Sequence, residues 1–127
     1  MAKNIMSMST MSKTWIFDID GTILEHNGHI SAGEKVLPGV HEFFESNVKK
    51  DDYVLIITAR EDKYREKTID FLNENNIRFD NIIFSVPSGE RILLNDTKPR
   101  GMKTAIAIPL ERDKGLSGIS ISFREDI

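Results

Sequence analysis

The sequence predicts an α/β protein, a parallel sheet with helices on both faces, and three observations carry that prediction. Short apolar runs rich in β-branched residues alternate with amphipathic stretches of helical period. Their order is strand, helix, strand, helix, strand, as parallel strands require when each crossover must return the chain to the same end. At 127 residues, 39% of them hydrophobic, the chain can fill one core and no more.

Residues 1–12 hold four of the five methionines among small polar residues, without helical or strand periodicity. They are expected to form a disordered leader, followed by a single domain over 13–127. Thr14-Trp15-Ile16-Phe17 is a short apolar run ending in Asp18-Ile19-Asp20-Gly21-Thr22, a buried strand running into a polar loop. Asn27-Gly28 and Ser31-Ala32-Gly33 are turn signals, so 23–35 reads as a loop or small hairpin. Pro38 is placed for the first position of a helix whose Val40, Phe43, Phe44 and Val48 form a stripe, ending near Lys49-Lys50. Tyr53 to Ile57 is a second buried strand, closed by Thr58-Ala59-Arg60, and 62–75 reads as an amphipathic helix. Asn81 to Phe84 is a third strand, and Arg91 to Leu94 a fourth that runs into Asn95-Asp96-Thr97. Met102 to Leu110 and the alternating Ile119 to Phe123 predict two C-terminal edge strands, antiparallel to their neighbours.

Composition excludes several classes of function. With no cysteine there is no disulfide framework, thiolate zinc site or cysteine nucleophile. Seventeen Lys and Arg against twenty Asp and Glu, with no long run of either sign, do not make a nucleic-acid surface. No apolar stretch is long enough to span a bilayer and no secretory signal is apparent, so a cytoplasmic protein that binds neither membrane nor nucleic acid is expected.

Three polar clusters each follow a predicted strand: Asp18-Ile19-Asp20-Gly21-Thr22, Thr58-Ala59-Arg60 and Asn95-Asp96. In an open parallel sheet the carboxyl ends of the strands share one edge, where ligands bind, so the clusters are expected to meet. Strand period puts Asp18 and Asp20 on one side, and Gly21 permits a tight exit that frees backbone N–H groups. Two neighbouring carboxylates resist joint ionisation without a cation, and Mg2+ suits oxygen donors from Asp18 and the distant Asn95-Asp96 pair together with a substrate phosphate. An Asp can also attack phosphorus to form an aspartyl-phosphate. Asp18 would attack, and Asp20 would protonate the leaving alcohol and then deprotonate the water that clears the intermediate. Thr58 would donate to a phosphoryl oxygen, and Arg91 or Lys98 would offset its charge.

Phe17-Asp18-Ile19-Asp20-Gly21-Thr22 resembles the first motif of the haloacid dehalogenase (HAD) superfamily, Ile56 to Arg60 its second, and Leu93-Leu94-Asn95-Asp96 its acidic fourth. The resemblance extends over about Lys13 to Lys98. It implies a Rossmann-like core and a magnesium-dependent phosphatase, with Asp18 as nucleophile and ligand, Asp20 as acid/base and carbonyl ligand, and Thr58 on the phosphate. Two positions depart from the pattern. No lysine lies between Thr68 and Thr97, so either Arg91, Lys98 or Lys103 replaces the third-motif lysine or that position is vacant, and Asn95 stands where an acid is usual. Only 35 residues separate Thr22 from Thr58 and 36 separate Thr58 from Asn95, which leaves no room for a cap domain and implies an open site.

The expected function is therefore a capless phosphohydrolase of carbohydrate metabolism acting on a small phosphomonoester of the phosphosugar or polyol phosphate class. Gly21, Thr22, Ala59 and Arg60 would line the substrate, and a homo-oligomer could cover the open site. The alternatives are a phosphotransferase, or a non-catalytic, partner-regulated module that binds Mg2+ and a phosphorylated ligand. A calcium loop is disfavoured, because Ile23 and His29 stand where an EF-hand needs Gly and Glu. His26, His29 and His41 are expected to face solvent, Trp15 and Phe43-Phe44 to sit in the core, and Glu111 to Lys114 to form an exposed turn from which Arg112 could reach a substrate's polar end.

Overall fold

The computed structural model describes residues 4–31 and 33–127. Residues 1–3 of the expected leader and Ala32 of the expected turn lie outside them. The architecture is α/β, with two small parallel sheets and two α-helices. In chain order the elements are β1 (Asn4–Ser9), β2 (Thr14–Phe17), α1 (Val40–Asn47), β3 (Tyr53–Ile57), α2 (Arg65–Glu74), β4 (Asn81–Ile83) and β5 (Ile119–Arg124), with single 3-10 turns at Gly28–Ile30 and Asp62–Tyr64.

The central sheet has the order β2-β3-β4, all parallel, with Trp15 opposite Val54 and Ile56 opposite Ile82. One side is buried by Trp15, Phe17, Val54, Ile56 and Ile82, whereas Ile16, Tyr53 and Ile83 remain exposed on the other. These strands were expected to be buried throughout; they alternate instead, because this sheet is covered more fully on one side than on the other. Helix α1 packs its Phe43 edge-on against both Trp15 and Phe17, and Phe44 stacks on Phe17 at 4.8 Å between ring centroids. Such offset and edge-to-face pairs suit the charge distribution of aromatic rings. Helix α2 buries Thr68 and Leu72. Both helices lie close to their expected places, although α1 begins at Val40 after Gly39 in the left-handed region, one turn-residue beyond Pro38.

Four expectations need correction. Asn4–Ser9 is a strand rather than a disordered leader; it pairs in parallel with β5, and Met8 is buried. The pairing partner is distant in sequence, so local periodicity gave no sign of it. The C-terminal strand β5 exists, but parallel to β1 rather than antiparallel to an edge. No strand forms over Met102 to Leu110, and none over Arg91 to Leu94, where Ile92 is 80% and Leu94 85% exposed. A short apolar run satisfies the strand template whether or not an edge is available to pair with it.

Of the two forms expected for 23–35, a loop or a small hairpin, the chain takes the second. The Glu25 amide donates to Lys35 O and the Leu37 amide to Ile23 O, which folds the loop back over the end of β2. The tail closes on the same region, since the Asp113 amide donates to Gly21 O and Asp113 Oδ1 accepts from the His26 amide at 2.8 Å.

Candidate active site

β2 ends at Phe17, and the next residues carry the alternation one step further: Ile19 is fully buried while Asp18 and Asp20 both open on a cleft of about 410 Å³. The cleft is also lined by His26, His29, Ala59, Arg60, Tyr64, Arg91 and Arg112, so two of the three predicted clusters do meet beyond the carboxyl edge of the sheet. The turn that follows differs from expectation. Gly21 has φ +81°, a conformation open to glycine at little cost, but the Thr22, Ile23 and Leu24 amides all converge on Ile19 O and the Gly21 amide donates to Leu24 O. No N–H from 21–24 is therefore left for a phosphate, and Gly21 and Thr22 do not line the cleft. A side chain at Gly21 would press on Arg112 Cγ at 3.0 Å, so the glycine gives Arg112 room to lie over the turn.

Asp18 is partly enclosed, with Arg91 Nη2 3.7 Å from its Oδ1. Burial pushes its carboxyl above the ordinary aspartate value, and the opposing pull of Arg91 does not cancel this. Asp20 is held quite differently. Its Oδ2 accepts from Arg60 Nε at 3.1 Å, and its Oδ1 accepts from Arg60 Nη2 at 3.0 Å and the Asn27 amide at 3.2 Å.

Arg60 was expected to line the substrate; it lines the cleft, but its guanidinium is committed to partners within the protein. Nη1 donates to Glu34 Oε2 and Thr68 Oγ1, and Nη2 also donates to Glu34 Oε1. With the two bonds to Asp20, all five guanidinium N–H groups have partners inside the protein. The Arg60 side chain is fully enclosed. Burial alone would favour its neutral form, but the two carboxylates outweigh that and raise its pKa further.

Thr58 is also enclosed. Its Oγ1 accepts the Arg60 amide at 3.0 Å, its amide donates to Ile83 O, and its carbonyl accepts from Val86. These bonds shape the turn after β3 and aim Arg60 at Asp20; Thr58 itself does not line the cleft.

The third cluster does not join the other two. Asn95 Nδ2 donates to Thr104 Oγ1, which bonds in turn to Asp96 O, and both residues are exposed on a stretch without helix or strand. Neither these two nor Lys98 lines the cleft, whereas Arg91 does. Mg2+ needs oxygen donors gathered at one point. Among the described residues no three His, Asp or Glu side chains are so gathered, and Asp20 is already held by Arg60. The expected donor set does not fit the ion in this arrangement.

His26, His29 and Glu34 were not expected at the site, whereas His41 is exposed as expected. His29 is buried with its ring edge-on to Tyr64 at 4.6 Å, and its Nδ1 lies 3.9 Å from Asp20 Oδ1, too far for a hydrogen bond. Burial first and the Arg60 charge second lower its pKa. The Nδ1 atoms of His26 and His29 are both buried without a partner. Nothing local signals these placements, because they depend on the 23–35 loop folding over β2. Arg112, read as able to reach a ligand, does line the cleft.

Compared with known proteins, the chain matches no family model, no curated protein and no solved structure.

Proposed function

We propose that this chain is a phosphohydrolase that takes a small phosphomonoester, of the phosphosugar or polyol phosphate class, into the cleft over Asp18 and cleaves it through an aspartyl-phosphate. The observation that carries the reading is a carboxylate freed from tight pairing at the end of a parallel strand, in a cleft that also receives Arg91 and Arg112. A phosphoryl group there would meet a nucleophile and two cations able to offset its equatorial charge. An Asp18 oxygen forms the bond to phosphorus as the phosphorus–alkoxy bond breaks. The leaving oxygen takes a proton from Asp20, and the water that later cleaves the aspartyl-phosphate returns one. The HAD-like motifs support the same roles, and they make Mg2+ the cation to test.

A second reading is a binding module for phosphorylated ligands without efficient turnover. It is favoured by Asn95 and Asp96 lying outside the cleft. Phosphate release from a panel of sugar and polyol phosphates, with and without Mg2+, separates the two. Turnover supports the hydrolase; ligand-induced thermal stabilisation without turnover supports the module. Asp18→Asn is expected to abolish phosphate release while the melting temperature stays level or rises, since the variant removes a carboxyl that burial disfavours as an anion. Undiminished turnover would exclude Asp18 as nucleophile.

A further inference from the structure

The Asp20–Arg60–Glu34 cluster is more elaborate than a surface ion pair. Arg60 is enclosed, Glu34 side-chain exposure is 5% and that of Asp20 is 15%. Its members come from three places: the turn after β2, the turn after β3 and the far side of the 23–35 loop. Thr68 adds a tie to α2. Two carboxylates share one guanidinium, so the cluster carries more acid than base. Replacing such a group by apolar side chains is often no loss to stability, which makes a purely structural role a weak reason for it.

The hydrogen-bond inventory indicates what the cluster does. A carboxylate offers about four lone-pair positions. In Asp20 two on Oδ1 are taken, by Arg60 Nη2 and the Asn27 amide, and one on Oδ2 by Arg60 Nε. One position remains, on Oδ2, in a residue that lines the cleft. We infer that Glu34, acting through Arg60, is a positioning residue that holds Asp20 so that its one unfilled Oδ2 position is where the acid form carries the proton it passes to the leaving group, and where the carboxylate later takes one from water. The inference rests on the phosphohydrolase reading and adds a part of the 23–35 loop to its machinery. Glu34 grips both terminal nitrogens of the guanidinium and shares Nη2 with Asp20, which takes Nε, so two adjacent edges of the fork are held and the fork cannot pivot; a fork that cannot pivot fixes the carboxylate it holds.

The role has a kinetic signature that a structural role lacks. Expulsion of an alkoxide from an alkyl or sugar phosphate needs a proton from the general acid, whereas a nitrophenolate leaves without one. For Glu34→Gln, kcat on an alkyl phosphate is expected to fall by about tenfold or more beyond its fall on 2,4-dinitrophenyl phosphate, a part of the roughly 10²–10⁴-fold that general acids contribute. Arg60→Lys, which keeps the charge but loses the fork, is expected to show the same imbalance and serves if Glu34→Gln does not fold. Equal losses on both substrates, or no loss on either, in a folded variant would overturn the positioning role and leave the hydrolase reading standing. Absence of turnover by the unaltered protein on both substrates would overturn the hydrolase reading and this inference with it.

Discussion

Asp52 shows how one carboxylate can hold two strands and a turn together. Its Oδ1 accepts the Lys13 amide at 2.9 Å, and its Oδ2 accepts Trp15 Nε1 at 2.8 Å and the Lys49 amide at 2.9 Å. Burial by itself would raise the Asp52 pKa, but the bonds from Trp15, Lys49 and Lys13, with the Lys13 charge, outweigh it and the net shift is downward from 3.8. A carboxyl with a depressed folded pKa contributes stability above its unfolded value and loses it as pH falls through the folded one. Asp52→Asn is therefore expected to cost about 1–3 kcal/mol at neutral pH, because an amide cannot accept from all three donors. Denaturant melts should show the gap between the two proteins closing as pH falls below 3.8. A gap independent of pH would mean that packing, not charge, is what the variant loses. Asp18 has the opposite sign: its raised pKa means stability is lost as pH rises through it, the reverse of a residue present for stability.

At the scale of elements, the informative contrast is between two apolar runs. Tyr53 to Ile57 finds a strand on each side and buries Val54 and Ile56; Arg91 to Leu94 finds none and leaves Ile92 and Leu94 in solvent. Leu94→Ala should then change unfolding free energy by no more than about 0.5 kcal/mol, as for surface positions generally. A loss of 2 kcal/mol or more in equilibrium unfolding would mean that Leu94 is packed in solution and that the 91–94 strand forms. The three central strands were legible as short apolar runs and both helices from the period of their apolar residues, and Asp18 with Asp20 was legible because alternation continues past Phe17. The β1–β5 pair, the enclosed Arg60 and the cleft-lining His29 were not, since each depends on contact between segments far apart in sequence. Thr58-Ala59-Arg60 lies between these cases. Its place at the end of β3 was readable, but Arg60 turning inward required Glu34, and nothing near Glu34 marks it as a partner.

For the molecule as a whole, the two sheets differ in what holds them. The central strands are backed by Trp15, Phe17, Val54, Ile56, Phe43 and Leu72, all buried. The β1–β5 ribbon brings Met8 into the core, with Ile119, Ile121 and Phe123 only partly covered; Lys13 and Lys49 lie over the Phe123 ring at 5.0 and 4.7 Å. Two strands alone are marginal in water, so the ribbon depends on these few contacts, and exposed cation–π contacts add only about 0.5–1 kcal/mol each. Regions with few buried apolar contacts open at lower free energy than the global transition. Native-state hydrogen exchange is therefore expected to find β1 and β5 amides exchanging together through a sub-global opening, while Val54 and Ile56 exchange only on global unfolding. Phe123→Ala should speed exchange in β1 as well as in β5, because the strands protect each other across the whole register from Asn4–Ile119 to Ser9–Arg124. Equal protection of β1 and β3 would show instead that the chain ends are integral to the cooperative core. In that event the cleft, which the tail helps to close through Asp113, would share the stability of the whole fold.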